Sequence, residues 1–200
     1  AGGPEQLTAA VLCGADAVYF GAGNFNARRN AKNFELESLR ETVTFCHLHG
    51  TAVHLTVNTL VFDRELPSAM ETVRAACEAG VDALIVQDLG LARFIRQAAP
   101  DMPIHASTQM SVHNLSGVQL LEPFGYTRAV LAREMNAEEI AQVCRGTTME
   151  IETFVHGALC MCLSGQCYLS AVAGERSGNR GLCAQPCRLP FYEKNPQRCG

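Results

Sequence analysis

The sequence has little charge and no concentrated block of it, which limits the classes of function open to the protein. Lys and Arg number 16 against 20 Asp and Glu, charged residues make up 18% of the chain, and the net charge is −4. Without a Lys/Arg-rich block, the overall charge gives no support for nucleic-acid binding, which would need a local basic patch. No apolar run reaches the roughly 18 residues of a membrane span. No signal peptide opens the chain, so we expect no membrane contact.

Several common catalytic and nucleotide-binding motifs are also missing. The sequence contains neither an H-E-x-x-H zinc-protease motif nor a G-x-S-x-G nucleophile elbow. The stretch "GAGNFN" lacks the third glycine of a dinucleotide-binding fingerprint. What the chain does have is apolar residues, at 48% of 200 positions, which is enough for the core of one domain.

Most of the chain repeats a strand, a loop and an amphipathic helix. Strands are predicted in "ADAVYFG", "TAVHLTVNT", "VDALIVQD", "MPIHASTQ", "TRAVLARE" and "TMEIETFVHG", with helices between them and a first helix in "AGGPEQLTAAVLCG". Near-continuous apolar strands are typical of a parallel sheet that is covered on both faces. Six or so βα units in series favour an α/β, TIM-barrel-like (β/α)8 fold over an open doubly wound sheet.

The barrel is expected to be incomplete. No strand precedes the first helix, and the units of a barrel's end are missing, so we expect a fragment. Residues 1–156 hold the predicted βα units, and residues 157–200 form a cysteine-rich segment that continues the barrel.

The ends of the predicted strands are the first place to look for function, because TIM barrels gather their chemistry at the carboxyl ends of the strands. The stretches "IHASTQ" and "LARE" stand out, since a buried-strand pattern runs directly into several hydrogen-bonding side chains. A soluble barrel also needs a polar rim, so a structural role stays open for each of them. Candidates for orienting substrate or moving protons are His105, Gln109, Arg133, Glu134 and His156.

A long loop follows the first predicted strand. It reads "FGAGNFNARRNAKNF" and places Arg28, Arg29 and Asn30 at its centre, with Lys32 close by. Three cations at a barrel mouth would suit an anion or an RNA phosphate, and the flanking aromatics would suit base stacking. The alternative is a solvated lid.

Half of the ten cysteines crowd into one glycine-rich stretch. Outside it, Cys13, Cys46, Cys77 and Cys144 lie in helix-like apolar stretches, where we expect buried free thiols. A cytosolic, reducing compartment is therefore favoured, and there clustered cysteines indicate metal or redox ligands.

The crowded cysteines have the spacing Cys160-x6-Cys167-x15-Cys183-x3-Cys187, with Cys162 and Cys199 as extras. Zinc sites favour shorter C-x2–4-C pairs, which only the last two approach. Iron–sulfur clusters take four thiolates at varied spacings. A disulfide-rich loop or free thiols would be a purely structural alternative.

Two arginines and a histidine lie close in sequence to these cysteines. Arg176 and Arg180 lie beside the cysteines, where they would stabilise thiolates or hold an anionic substrate. His156 lies four residues before Cys160, as a nucleophilic cysteine would allow. A nucleophile needs one thiol and not four, so this alternative is disfavoured.

The stretch "ETFVHGALCMCLSGQCYLS" resembles the signature of the peptidase U32 family. "GADAVYFGAGNFNARRNAKNF", "VDALIVQDLG", "HASTQ", "LARE" and "SGNRGLCAQPCRLPF" are similar to the family as well, so the likeness covers essentially the whole chain. The signature positions are filled by Glu152, Phe154, Gly157, Ala158, Leu159, Cys160, Gly165, Cys167, Leu169 and Ser170.

The resemblance implies a fold, a cofactor and a reaction. It implies a TIM-barrel-like domain with a 4Fe–4S cluster on Cys160, Cys167 and Cys183, and with Cys187 or a residue beyond Gly200 as fourth ligand. The family was first named for collagen-degrading peptidases. Its better-understood members are O2-independent hydroxylases of a tRNA uridine, with prephenate as oxygen donor, of an rRNA cytidine, or of a ubiquinone precursor. This chain is most similar to the rRNA-cytidine branch, and tRNA-type members come next.

The physical argument agrees with this implication. Hydroxylating an unactivated carbon without O2 is redox chemistry that side chains alone do not supply, so a cofactor must carry it. The resemblance implies RNA as the partner and prephenate as the candidate oxygen donor. A peptidase and a non-catalytic iron–sulfur partner subunit remain the alternatives, and assembly into an oligomer or with a partner subunit stays open.

Overall fold

The six predicted strands form one parallel sheet. The computed structural model describes residues 1–27, 33–157 and 159–192. Within them the strands are β1 (Ala17–Gly21), β2 (Ala52–Val57), β3 (Ala83–Val86), β4 (Ile104–Ala106), β5 (Tyr126–Val130) and β6 (Glu150–Glu152), paired in sequential order. A doubly wound sheet reverses its order at a switch point, whereas a TIM barrel keeps adding strands in one direction. The predicted α/β, TIM-barrel-like class is therefore confirmed.

Helices connect the strands, and the sequence encodes several of their ends. They are α1 (Pro4–Leu12), α2 (Leu39–Leu48), α3 (Leu66–Ala79), α4 (Leu89–Ala98), α5 (Leu115–Leu121), α6 (Ala137–Gly146) and α7 (Leu169–Gly174). Helix α3 has Pro67 in its first turn and ends on Gly80, at φ 83°. The side chains of Asp88 and Asn136 accept hydrogen bonds from first-turn N–H groups of α4 and α6. None of the helices in the described ranges has the length and apolar character needed to cross a membrane.

The two faces of the sheet differ in chemistry. One row of paired residues (Val57, Val86, Ala106 and Ala129) belongs to the buried apolar core, together with residues of the covering helices such as Leu91. Side chains alternate between the faces of a strand, so the adjacent row lies on the opposite face, called here the inner face. Its members are Thr56, Ile85, His105, Arg128 and Glu150.

The strands were expected to be buried on both faces, and how far each one is depends on its position in the sheet. All residues of β3 and β4 are buried. Strand β6, the last in the pairing order, is half-exposed and carries Glu150 and Glu152. Arg128 on β5 binds both carboxylates, with Nη2 2.7 Å from Glu150 Oε2 and Nη1 3.2 Å from Glu152 Oε2. The edge strand is thus tied to the sheet by charge as well as by backbone pairing.

The four helix cysteines are free thiols as expected, but the prediction that all are buried is wrong. Cys46 is buried and Cys77 half-buried, whereas Cys13 and Cys144 are exposed. Cys13 follows the end of α1 as its C-cap, and in α6 it is the neighbouring Val143 that faces the core. Burial raises the pKa of the Cys46 thiol, which keeps it protonated and unreactive.

Residues 159–192 have a different character from the βα units. They contain only α7 and two single-turn 3-10 helices, Gly178–Arg180 and Pro186–Arg188, among the described residues. The boundary between residues 156 and 157 as a domain division stays a prediction.

Candidate functional site

A polar floor lies at the carboxyl ends of β2, β3 and β4, formed by Asn58, Gln87, Ser107 and Gln109. Asn58 Nδ2 donates to Ser107 Oγ at 3.2 Å, and Asn58 Oδ1 accepts from the Ala27 N–H at 2.9 Å. Ser107 Oγ also accepts from the Gln109 N–H, while Gln87 Nε2 donates to the Gln109 carbonyl at 3.3 Å. Gln87 Oε1 is buried and accepts no hydrogen bond from the described residues, so the floor retains an unused acceptor.

The cysteine-rich segment is fastened to one side of this floor through Ser164. The Ser164 N–H donates to Glu134 Oε1 at 2.9 Å, and its hydroxyl donates to Glu134 Oε2 at 3.1 Å. The same hydroxyl accepts from Arg133 Nε at 3.3 Å, and the Ser111 hydroxyl donates to the Ser164 carbonyl. Burial raises the pKa of the Glu134 carboxyl, but the backbone and Ser164 hydrogen bonds outweigh it and the net shift is downward.

Gly165 lies against the floor at the backbone of Gln109. Its φ of 74° lies in the left-handed region, which favours glycine. A Cβ at this position would lie 2.0 Å from the Gln109 carbonyl oxygen. The backbone contact therefore requires a residue without a side chain, which accounts for the glycine at this position of the signature stretch.

A second attachment holds the other half of the segment, at the loop between β2 and α3. Arg180 Nη2 binds Glu65 Oε1 at 2.5 Å, and Arg180 Nη1 donates to the Leu60 carbonyl at 2.7 Å. The guanidinium also lies 4.7 Å from the centre of the Phe62 ring. The hydrogen bond from Arg180 is the main reason that the pKa of Glu65 is lowered. The charge of Arg180 is thus already engaged within the protein.

The four candidate ligand cysteines are accessible and unpaired. Cys160 and Cys183 are exposed, Cys167 and Cys187 are half-buried, and all four are free thiols. The pKa of Cys162 is raised, chiefly by desolvation and then by Cys167 and Cys160, which marks these three thiols as neighbours.

Thiolates are the usual ligands of iron–sulfur clusters, so the donor chemistry fits such a group. In the described ranges no three His, Cys, Asp or Glu side chains are gathered so that they could hold a metal ion. The ligand set stays a prediction.

His105 lies within the sheet and not at its rim. It is 4% exposed on the inner face of β4, two residues before Ser107, and its ring meets that of His54 edge-to-face at 4.7 Å. Burial lowers the pKa of His105 to about 3, so its ring is neutral near pH 7. Both histidines line a cavity of 370 Å³ with Asp82, Arg128 and Glu150.

The remaining predicted residues are scattered. His156 is exposed beyond β6, and Arg176 is exposed with Nε donating to the Leu182 carbonyl at 3.2 Å. Arg28, Arg29 and Asn30 lie outside the described residues. Sequence reasoning missed Ser164 and Glu65. Only the glycine of the signature stretch pointed toward the first, and no pattern pointed toward the second.

The sequence matches one protein-family model and several curated proteins. Residues 2–198 match the model of Peptidase family U32. The 23S rRNA 5-hydroxycytidine synthase of Escherichia coli (strain K12) is 44% identical over 188 residues, which cover 94% of this chain and 28% of that protein. The tRNA hydroxylation protein P1 of Bacillus subtilis (strain 168) is 38% identical over 191 residues, covering 96% of this chain and 45% of that protein. The chain thus spans less than half the length of either curated relative.

A solved structure supports the fold. That of a U32 peptidase matches with a TM-score of 0.57 at 16% identity, covering 70% of this chain and 60% of that chain. At this identity the likeness concerns the fold alone.

Proposed function

The chain belongs to peptidase family U32, and from that membership we propose that it takes part in the O2-independent hydroxylation of a pyrimidine in RNA, either an rRNA cytidine or a tRNA uridine. The relatives that are named for RNA hydroxylation match along nearly the whole chain. No block of positive charge is needed if the RNA contacts are local, for example on the loop around Arg28 and Arg29.

One structural observation carries the proposal. The segment with the crowded thiols is fastened over the carboxyl ends of the strands by Ser164 on one side and Arg180 on the other. The carboxyl ends of the strands are where TIM-barrel enzymes hold their substrates. The segment that carries the candidate ligand thiols is therefore attached at the end of the fold where a base would bind.

The proposed cofactor is a 4Fe–4S cluster on Cys160, Cys167, Cys183 and Cys187, and the proposed oxygen donor is prephenate. Bound there, the cluster would supply the electron transfer that side chains lack. The chain's own part is binding and orientation. The exposed guanidinium of Arg176 offers charge for a carboxylate or a phosphate.

A peptidase is the alternative that the family's first name suggests. Within the described residues no cysteine makes a hydrogen bond to a histidine, so a Cys–His nucleophile is not assembled there. A partner subunit without its own activity would share the cofactor but not the reaction.

The test uses a strain that lacks the gene. Nucleosides of its rRNA and tRNA are analysed by mass spectrometry, then again after complementation with wild type, Cys167→Ser or Cys13→Ser. We expect one hydroxylated pyrimidine to disappear and to return with wild type and Cys13→Ser but not with Cys167→Ser. An unchanged nucleoside profile would refute the proposal, and cleavage of gelatin by the purified protein would then favour the peptidase.

A further inference from the structure

We propose that Glu134 and Ser164 are positioning residues, which hold loop 160–167 in place over the polar floor, and that Glu134 is not an acid or base of the reaction. This inference goes beyond the proposed function, since it concerns how the thiols are placed whatever reaction they serve. It assigns to the "LARE" stretch a partner 30 residues further along the chain, in the middle of the signature.

Both oxygens of the Glu134 carboxylate are engaged by Ser164. Its Oε1 accepts from the Ser164 N–H at 2.9 Å, and the single proton of the Ser164 hydroxyl is shared between Oε1 at 3.2 Å and Oε2 at 3.1 Å. His113 Nε2 lies 3.8 Å from Oε2. A carboxylate whose pKa is lowered by hydrogen bonds is a poor proton donor and a weak proton acceptor near neutral pH, because general acids and bases work best when their pKa lies close to the operating pH.

Ser164 lies in the middle of loop 160–167. It is the fourth residue after Cys160 and the third before Cys167, and it is 1% exposed. Its neighbour Gly165 lies against the Gln109 backbone with no room for a side chain. Fixing the middle of so short a loop restricts the positions of the cysteines at both of its ends.

The Ser164–Glu134 attachment is independent of the attachment through Arg180. The Arg180–Glu65 ion pair holds the stretch that leads into Cys183, three residues after Arg180. That stretch uses a different loop of the barrel. The chain therefore contains its own matched control, since Glu65→Gln weakens the second attachment by the same chemical change that Glu134→Gln makes in the first.

The test measures hydrogen–deuterium exchange in the full chain, comparing the peptide that contains residues 160–167 with the one that contains residues 178–187. Loss of a charge-assisted hydrogen bond should raise local opening about tenfold or more. We expect Glu134→Gln and Ser164→Ala to accelerate exchange in the first peptide only, and Glu65→Gln in the second only. Thermal unfolding of each variant verifies that the barrel remains folded; should Glu134→Gln fail to fold, Ser164→Ala provides the same comparison.

A pH series separates this role from simple packing. The pKa of Glu134 is lowered in the folded protein, so its contribution is complete above the ordinary glutamate pKa and is lost as the pH falls through the lowered value. Exchange in the first peptide, corrected for its intrinsic pH dependence, should show this step in wild type and not in Glu134→Gln.

Two results would overturn the inference. One is wild-type exchange in both Glu134→Gln and Ser164→Ala. The other is loss of RNA hydroxylation in Glu134→Gln with unchanged exchange, which would assign the carboxylate to the chemistry. If the RNA proposal itself fails, the exchange pattern still decides the positioning role, because it requires neither substrate nor cofactor.

Discussion

Replacing Gly165 with alanine tests the contact between the cysteine-rich segment and the floor most severely. The new Cβ would lie 2.0 Å from the Gln109 carbonyl oxygen and 2.7 Å from its carbon. These are backbone atoms, and Gln87 holds the carbonyl by a hydrogen bond of 3.3 Å. The clash therefore cannot be relieved by rotating a side chain, and the loop must back away.

The cost has two parts. A left-handed backbone at an alanine costs about 1–2 kcal/mol. Backing away also loses the hydrogen bonds from Ser164 to the Glu134 carboxylate, at about 1.5–3 kcal/mol for a bond to a charged group. Together these favour local opening by about 3 kcal/mol, which is roughly a hundredfold increase in the open population.

Limited chymotrypsin digestion reads out that population, because Tyr168 is 67% exposed and lies just beyond the attached loop. Cleavage there should be roughly a hundredfold faster in Gly165→Ala when opening is fast compared with cutting. Gly174→Ala is the control, since its added Cβ meets nothing within 4 Å. Wild-type cleavage rates in Gly165→Ala would refute the packing described for this loop.

Three further outcomes follow from the described residues. His105 stays neutral in the folded protein, with a pKa of about 3, but protonates near pH 6.5 in the unfolded chain. The free energy of unfolding is therefore highest above pH 6.5 and falls below it by up to about 1.4 kcal/mol per pH unit. Urea unfolding at several pH values should show a steeper fall in wild type than in His105→Gln. Asp88→Ala loses acceptors for the N–H groups of Leu91 and Val61 and should cost about 1–2 kcal/mol. Asp88→Asn should lie between wild type and Asp88→Ala, because its single amide oxygen can replace only one of the two acceptors. Asn136→Ala removes the capping box of α6 and should cost about 1 kcal/mol in the same assay, whereas no loss would contradict the assigned cap.

The fold could be predicted because its signals are local. Buried parallel strands leave apolar runs, and helices leave periodic stripes with caps such as Asp88, so the six strands and the helices between them follow from short stretches. What a strand's own sequence does not state is its place in the sheet. Strand β6 was expected among the others, but its two glutamates make sense only beside Arg128.

The site was less predictable because its contacts join distant parts of the chain. Ser164 and Glu134 are 30 residues apart, and Arg180 and Glu65 are 115 apart. No periodicity encodes such pairs. The polar residues of "LARE" follow the end of β5 as predicted, but position alone did not distinguish a group for holding the loop from one for moving protons.

The most direct test of the central claim is an iron and acid-labile sulfide analysis of the protein purified without oxygen. A 4Fe–4S cluster predicts about four of each per chain, retained in Cys13→Ser and lost in Cys167→Ser or Cys183→Ser. Protein that contains neither element, with all four thiols joined as disulfides or freely alkylated, would contradict the claim.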